Sequence, residues 1–475
     1  MSTTAIVGYG AYVPRYRLKR SDIAATLGTP PGRGARLVAS YDEDSTSMAV
    51  EAARATLGGS RDLGALYFAT TAPAYVDKSN AAIVHAALGL GERCLAADTG
   101  GAVRSATAAL RAAALDHGLA VFADVRGGRP GSADERDGAD AAVALAFGHA
   151  SDEQAIAEIL ATVSISGEVH DRWRLPGESS SHTWEERFAV GFLTAAATKA
   201  TAAVLGEAGI TGAPEHVVVS SPHTRAAAQV RRGFAKEAIV DGPVLAGGHA
   251  GTADIGLQLI AALDRAAPGD TILAVQISDG CDALVLRVLP GALQAPNRGK
   301  LAVALAGGEP VPYPAYLTWR GRLDREPPRR PEPTPPAGPP VARNASWKFG
   351  FVGSRCTACD HVHLPPQRVC TGCGVVDAME DVRMADRPAT VANLTVDRLA
   401  YSLAPPVTNV VLDFDGGGRF ACQVADAAFG SVALGDRMDL TFRRLFTAGG
   451  IHNYFWKARP LDVAATGATE AAHGQ

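Results

Sequence analysis

Between Pro327 and Pro340 eight of fourteen residues are proline, interspersed with Arg329, Arg330 and Glu332. Proline brings no backbone N–H and a fixed φ, so this stretch can be neither helix interior nor central strand and should run extended, as a semi-rigid spacer. It is the clearest domain boundary in the chain. The 475 residues, 47% hydrophobic and 20% charged, hold core enough for two or three domains. The expected organisation is a large domain over residues 1–295, a helix and linker over 308–347, a metal module over 348–380, a small barrel over 381–463 and a frayed tail over 464–475.

To about residue 290, apolar β-branched runs alternate with alanine-rich stretches, the pattern of a layered α/β fold. A helix should open near Ser45-Thr46-Ser47, carry Met48, Ala52 and Ala55 on one face and stop at Gly58-Gly59, with the strand Leu66 to Thr70 after it. A second helix over Thr198 to Ala208 ends at Gly209 and precedes the strand Val217 to Ser220. Helix, short linker, strand and polar loop recur in one order, which points to an internal duplication.

Beyond a short helix expected over Tyr313 to Leu323, four cysteines stand as Cys356-x2-Cys359 and Cys370-x2-Cys373, ten residues apart. That spacing lets two hairpin knuckles converge on one tetrahedral Zn²⁺, and four thiolates leave no open coordination position, so the ion is structural. His361 and His363 lie between the pairs as competing ligands. Strand-like runs follow at Thr390 to Val396, Asn409 to Phe414, Arg419 to Val424 and Met438 to Phe442. About five short strands in some eighty residues suit a small β-barrel, an OB-fold.

The formal charge of −4 and the pI of about 6.3 give no general attraction to nucleic acid or to an anionic membrane. Met1 leads into the strand-like Ala5-Ile6-Val7 and no apolar run is read as membrane-spanning, so a cytoplasmic location is expected. Two disulfides in place of zinc would need a secreted chain. Cys94, Cys281 and Cys422 are far apart and read as small buried hydrophobes.

The opening AIVGYGAYVPRYRLKRSDIA, with YDEDSTSMAVEAA, resembles the archaeal and bacterial 3-hydroxy-3-methylglutaryl-CoA synthase branch of the thiolase superfamily, through about residue 290. The proline spacer, the cysteine quartet and the barrel resemble the zinc-ribbon OB-fold proteins that accompany thiolases and this branch in acyl-CoA complexes. The resemblance implies a duplicated five-layered thiolase fold that binds acyl-CoA, a homodimer, and then a rubredoxin-like ribbon and an OB-fold.

That family forms an acyl thioester on a cysteine at a helix N-terminus, where the dipole and a histidine favour thiolate. Its element, an aspartate, a cysteine five positions on and a small-residue helix, matches Asp98 to Leu110 without a gap, and the nucleophile position is Val103. An isopropyl group can neither attack nor hold a proton. Ser105 would face elsewhere. The family's glutamate acid or base falls on Thr71, which cannot do that work near neutral pH. Its histidine is retained as His223, and its asparagine becomes His249, which can still donate a hydrogen bond.

Two kinds of function follow. One is a non-acylating scaffold or accessory subunit that docks a separate thiolase and binds acyl-CoA, with Arg398, Tyr401, Phe420, Arg443 and Arg444 on barrel loops facing the phosphates and adenine of CoA. The other is a redirected enzyme, an aldolase or condensing enzyme on a CoA thioester, with His223, His249 or Tyr75 moving the proton. A nucleic-acid role rests on the ribbon and barrel alone, and the acidic charge opposes it.

Overall fold

The computed structural model describes residues 3–30, 32–326, 333–400 and 402–461. The chain forms two compact units, Met1–Asp324 and Arg325–Gln475. Tyr401, the tail after residue 461 and residues 327–332 of the proline run lie outside the described residues.

The first unit is organised on one nine-stranded sheet built from β1 (Thr4–Tyr12), β2 (Ala65–Thr70), β3 (Leu95–Gly100), β4 (Leu119–Asp124), β5 (Ala141–His149), β6 (Ala157–Ser166), β7 (His216–Ser220), β8 (Thr271–Ile277) and β9 (Gly280–Val288). Its order is β7-β8-β9-β6-β1-β5-β4-β2-β3. Read outward from the middle, β1, β5, β4, β2 on one side mirror β6, β9, β8, β7 on the other. The two halves meet where β1 and β6 pair antiparallel, Ala5 opposite Glu158 and Ile6 opposite Ala157. This is the duplication the sequence suggests, closed through its two first strands.

Helices make the remaining layers. The first, α1 (Ser45–Leu57), begins at a capping box in which Asp44 accepts from the Ser47 backbone N–H and Ser47 Oγ accepts from that of Asp44, and it ends on Gly58 at φ 55°. It packs on β1 and β5. Its counterpart in the second half is α3 (Glu186–Glu207), on β6 and β9. Between the half-sheets lie α2 (Ser105–Asp116) and α5 (Ala253–Arg265), whose Ala106, Leu110, Leu257 and Ile260 share one core with Phe122, Val143 and Val218 from the strands. Outer helix, half-sheet, paired helices, half-sheet and outer helix are the five layers of a thiolase-like fold.

Two boundaries differ from the sequence expectation. Helix α3 starts twelve residues before Thr198, because Ala189, Leu193, Ala196, Ala197, Ala200 and Val204 form one continuous buried stripe. By length and composition its span Arg187–Glu207, within which an 18-residue window has a mean hydropathy of 1.5, would suffice to cross a membrane, which corrects the expectation that no run is long and apolar enough. In this fold alanine carries that apolarity and the stripe is spent on the sheet. Ahead of α4 (Thr224–Arg231), His223 caps the helix. The short helix α6 (Tyr313–Trp319) belongs to the first unit, where Tyr313, Tyr316 and Val311 bury against Leu18, Ile23 and Val38.

The second unit passes through two short helices, Gly338–Arg343 and Ala345–Gly350, into a three-stranded sheet of β10 (Val352–Cys356), β11 (Val362–His363) and β12 (Met379–Arg383). Five antiparallel strands follow, β13 (Ala389–Asp397), β14 (Val407–Phe414), β15 (Arg419–Gln423), β16 (Arg437–Ala448) and β17 (Ile451–Pro460), in the order β15-β14-β13-β16-β17. Val424, just past β15, bridges to Ala458 of β17, which closes the sheet into a ring. Inside lie Val391, Leu412, Leu440, Phe442, Tyr454 and Trp456, and the Trp456 indole N–H donates to the Phe349 carbonyl at 2.7 Å.

Candidate functional site

The chemically informative residues gather where the parallel strands end, as open α/β sheets dispose their sites. Thr71 follows β2, Val103 lies in the turn from β3 to α2, Arg126 follows β4, His223 follows β7 and His249 precedes α5. Thr71 and Val103 line a cavity of about 620 Å³. His223 and His249 line another of about 460 Å³. The two share Arg126, Asp171, Arg172 and Pro222 as walls, so all four positions singled out from sequence stand around one composite space.

The turn bearing Val103 is pinned. Arg104 donates to both carboxylate oxygens of Asp282 at 2.8 and 2.9 Å, and Gln276 Nε2 donates to the Val103 carbonyl at 2.9 Å. Val103 itself is buried. Ser105 donates to the Gly100 carbonyl at 2.9 Å and does not line the cavities. Among the described residues no cysteine lines either cavity. Burial pushes the Cys94 thiol up, and it pushes those of Cys281 and Cys422 up to about 12 each, the chemistry of core residues.

Thr71 is buried beside Asp124, a wholly buried carboxylate that accepts from Thr70 Oγ1, the Thr71 backbone N–H, Thr71 Oγ1 and the Thr252 backbone N–H, at 2.7 to 3.0 Å. Arg126 donates to Thr71 Oγ1 at 2.8 Å. His223 caps α4, its Nδ1 accepting from the Ala226 N–H at 3.3 Å. His249 Nδ1 accepts from the Gly251 N–H at 3.1 Å, which places any proton on Nε2; that atom is buried and has no hydrogen-bond partner among the described residues, with the Asp254 carboxylate standing at 3.7 Å. Burial lowers the His249 proton affinity, so the ring is neutral and Nε2–H is a donor held ready.

Asp171 and Arg126 are functional candidates that sequence reasoning missed. Burial, then Asp279, hold the Asp171 carboxyl above its usual range, with His223 opposing them. Both residues sit in loops with no motif around them, and only the sheet order brings them to the cavity.

In the second unit the four Sγ atoms of Cys356, Cys359, Cys370 and Cys373 lie within 4.8 Å of one another, Cys356 and Cys373 at 3.7 Å and Cys359 and Cys370 at 3.5 Å. A tetrahedral ion with bonds of about 2.3 Å needs sulfur–sulfur edges of about 3.8 Å, so the set fits Zn²⁺. Each pair sits in an equivalent knuckle, the Asp360 N–H returning to the Cys356 carbonyl and the Gly374 N–H to that of Cys370, both at 2.9 Å. His361 and His363 are not part of the group.

The barrel arginines part company. Arg443 and Arg444 stand within β16, not on a loop. Arg443 is wholly buried against the Asp426 carboxylate, so it is no phosphate ligand, a correction that follows from its burial and its ion pair. Phe420 likewise packs among Trp347, Phe351 and Phe455. Arg398 is exposed over the Phe429 ring at 5.2 Å.

A duplicated, layered α/β unit with its site at the strand ends, followed by a four-cysteine ribbon, defines a thiolase-like protein carrying a zinc module. Residues 350–377 match the family described as ChsH2, rubredoxin-like zinc ribbon domain. Over 357 residues the chain is 30% identical to the hydroxymethylglutaryl-CoA synthase of Picrophilus torridus, spanning 67% of this chain and 97% of that protein. The enzyme of the same name from Methanopyrus kandleri is 31% identical over 299 residues, 58% of this chain and 84% of that one. An HMG-CoA synthase solved in complex with CoA superposes with a TM-score of 0.59 at 17% identity, over 66% of this chain and 90% of that chain. FabH of Pseudomonas aeruginosa superposes at 0.53 and 22% identity, over 61% and 98%. The chain belongs to the hydroxymethylglutaryl-CoA synthase family.

Proposed function

We propose that this protein binds CoA thioesters in the composite cavity without forming an acyl-enzyme, and acts in the cytosol as the non-acylating subunit of a carbon–carbon bond-forming complex with a separate thiolase. One observation carries the reading: an isopropyl side chain, that of Val103, stands at the turn where the family's matching element has its nucleophile, and every cysteine outside the ribbon is a buried thiol away from the cavities. The relatives supply the ligand class, since one solved neighbour is titled as complexed with CoA. The ring-closed five-strand order supports an OB-fold reading of the barrel, with Arg398 and Arg444 left as candidates for the phosphates of a CoA thioester bound by the second unit itself. A homodimer through the first unit completes the proposal.

The test is intact-protein mass spectrometry after incubation with acetyl-CoA and acetoacetyl-CoA, alone and with a co-purifying thiolase. No adduct on this chain and one on the partner is the expected result. A stable acyl adduct on this chain overturns it.

A second reading is favoured by the acid–base groups that line the cavities, Asp171, His223 and His249. In a retro-aldol cleavage of a 3-hydroxyacyl thioester, the base takes the hydroxyl proton, the Cα–Cβ bond breaks to give a carbonyl product, and its electron pair becomes the thioester enolate that His249 Nε2–H would hold. The enolate then takes up a proton. Turnover by this chain alone, lost in His223→Ala, would select it over the subunit role.

A further inference from the structure

The geometry points to Arg126 as the anchor of an anion subsite, one that selects CoA thioesters whose acyl group carries a free carboxylate. This rests on the reading of the composite cavity as a CoA-thioester site and names the acyl group it takes. Arg126 is one of four residues that wall both cavities. Its backbone is clamped at both ends, the N–H donating to Asp140 Oδ1 at 2.8 Å and the carbonyl accepting from Arg36 Nη2 at 2.7 Å. Among the described residues its guanidinium hydrogen-bonds one side chain, donating to the Thr71 hydroxyl.

Among the described residues Arg126 has no carboxylate within ion-pair distance, and the carboxylates around it are already engaged. Asp124 accepts four hydrogen bonds from threonine hydroxyls and backbone N–H groups. Asp134 is held by both Nη atoms of Arg172 at 2.6 and 2.8 Å. The electrostatic neighbours of Asp171 are Asp279 and His223 rather than Arg126. Burial, then Arg172, weaken the proton affinity of Arg126 by more than the nearby charges of Asp124 and Asp134 restore, the mark of a cation whose charge the protein only partly matches. A desolvated, unpaired charge is costly unless something neutralises it.

Three further features say what would neutralise it. Arg174 donates to the Thr71 carbonyl and borders the larger cavity. His249 Nε2, buried and unpartnered, borders the smaller one. Thr71 occupies the position at which the resemblance puts a carboxylic acid, so the wall has a cation beside a hydroxyl where an acid would stand. A guanidinium fork matches the two oxygens of a carboxylate. The space beside Thr71 and Val103 is where an acyl group would lie in the proposed site.

The experiment measures dissociation constants of succinyl-CoA, its methyl-ended isostere butyryl-CoA, and CoA for the full chain, wild type, Arg126→Gln and Arg126→Lys. Charge-assisted pairing predicts that wild type binds succinyl-CoA about 10- to 100-fold tighter than butyryl-CoA. R126Q should bring the two together, with butyryl-CoA unchanged as the control for folding, and R126K should restore part of the preference. Equal affinities in wild type, or a preference that survives R126Q, overturns the assignment. So does an equal loss for all three ligands, which would make Arg126 a partner of a CoA phosphate. If no CoA thioester binds, the ligand reading above fails separately; succinate must then still raise the melting temperature of wild type and not of R126Q, and its failure to do so refutes the subsite.

Discussion

Asp140→Asn should be among the most damaging single-atom changes in the first unit. Asp140 is wholly buried and each oxygen serves two donors: Oδ1 accepts from Arg36 Nη2 at 3.0 Å and the Arg126 N–H at 2.8 Å, and Oδ2 from the Ala39 N–H at 2.8 Å and Arg320 Nη2. Arg36 is itself wholly buried, its other acceptors being the Leu37, Glu135 and Arg126 carbonyls and the Tyr316 hydroxyl. An amide in this place must point its NH₂ at two donors whichever way it turns, and it strips Arg36 of its carboxylate. Breaking one partner out of a buried pair costs about 3–5 kcal/mol. At a urea dependence of about 3 kcal/mol per molar, the midpoint should fall by about 1–1.7 M. Glu309→Gln is the comparison: its pair with Arg15 is 38% and 31% exposed, so the loss should be about 1 kcal/mol or less and the shift about 0.3 M or less. Urea unfolding followed by tryptophan fluorescence, with Trp319 of α6 in the affected layer, reads both. A D140N shift no larger than that of E309Q would mean that the carbonyls and Glu135 suffice for Arg36, and the argument from the buried pair would be wrong.

Replacing Cys356 with Ser, or stripping zinc with a chelator, should unfold the ribbon and expose the second unit to protease while residues 1–324 stay resistant; a ribbon that keeps its fold without metal would contradict the structural role. His249 gives a pH test. Its folded-state pKa lies below the unfolded value of about 6.5, so on acidification the unfolded chain gains protons first and stability falls below about pH 6.5. His249→Gln should therefore lose less stability than wild type between about pH 7 and pH 5, measured by urea midpoints; equal losses would show that the ring is not held neutral.

Local signals carried part of the fold and the relation of parts to one another did not. The capping box and closing glycine of α1, the ribbon knuckles and the alternation of β-branched and alanine-rich runs are written in adjacent residues, and they were legible. The start of α3 was not, because residues 186–194 hold two phenylalanines and a glycine against one alanine, and only the sheet below them makes Ala189 and Leu193 a buried stripe. Arg443 read as a surface cation because residues 438–442 pass for a complete strand. The hairpin actually runs on through Ala448 with a register shift between Arg444 and Phe446, and Arg443 is buried against Asp426. At the site, Val103, Thr71, His223 and His249 were found through motif positions. Arg126 and Asp171 could not be, since neither neighbours a motif and each acquires meaning from distant charges, Arg172 for Arg126 and Asp279 and His223 for Asp171.

The seam between β1 and β6 also orders events in time. Ala5 and Ile6 find Glu158 and Ala157 only after some 160 residues have been made, and until then one flank of β1 stays bare. Thr71, Val103 and Arg126 emerge with the first repeat, His223 and His249 with the second. The ribosome thus delivers the cation long before the opposing wall, and a chain interrupted between the repeats would carry an open strand edge and half a cavity, a target for chaperones rather than a smaller version of the protein.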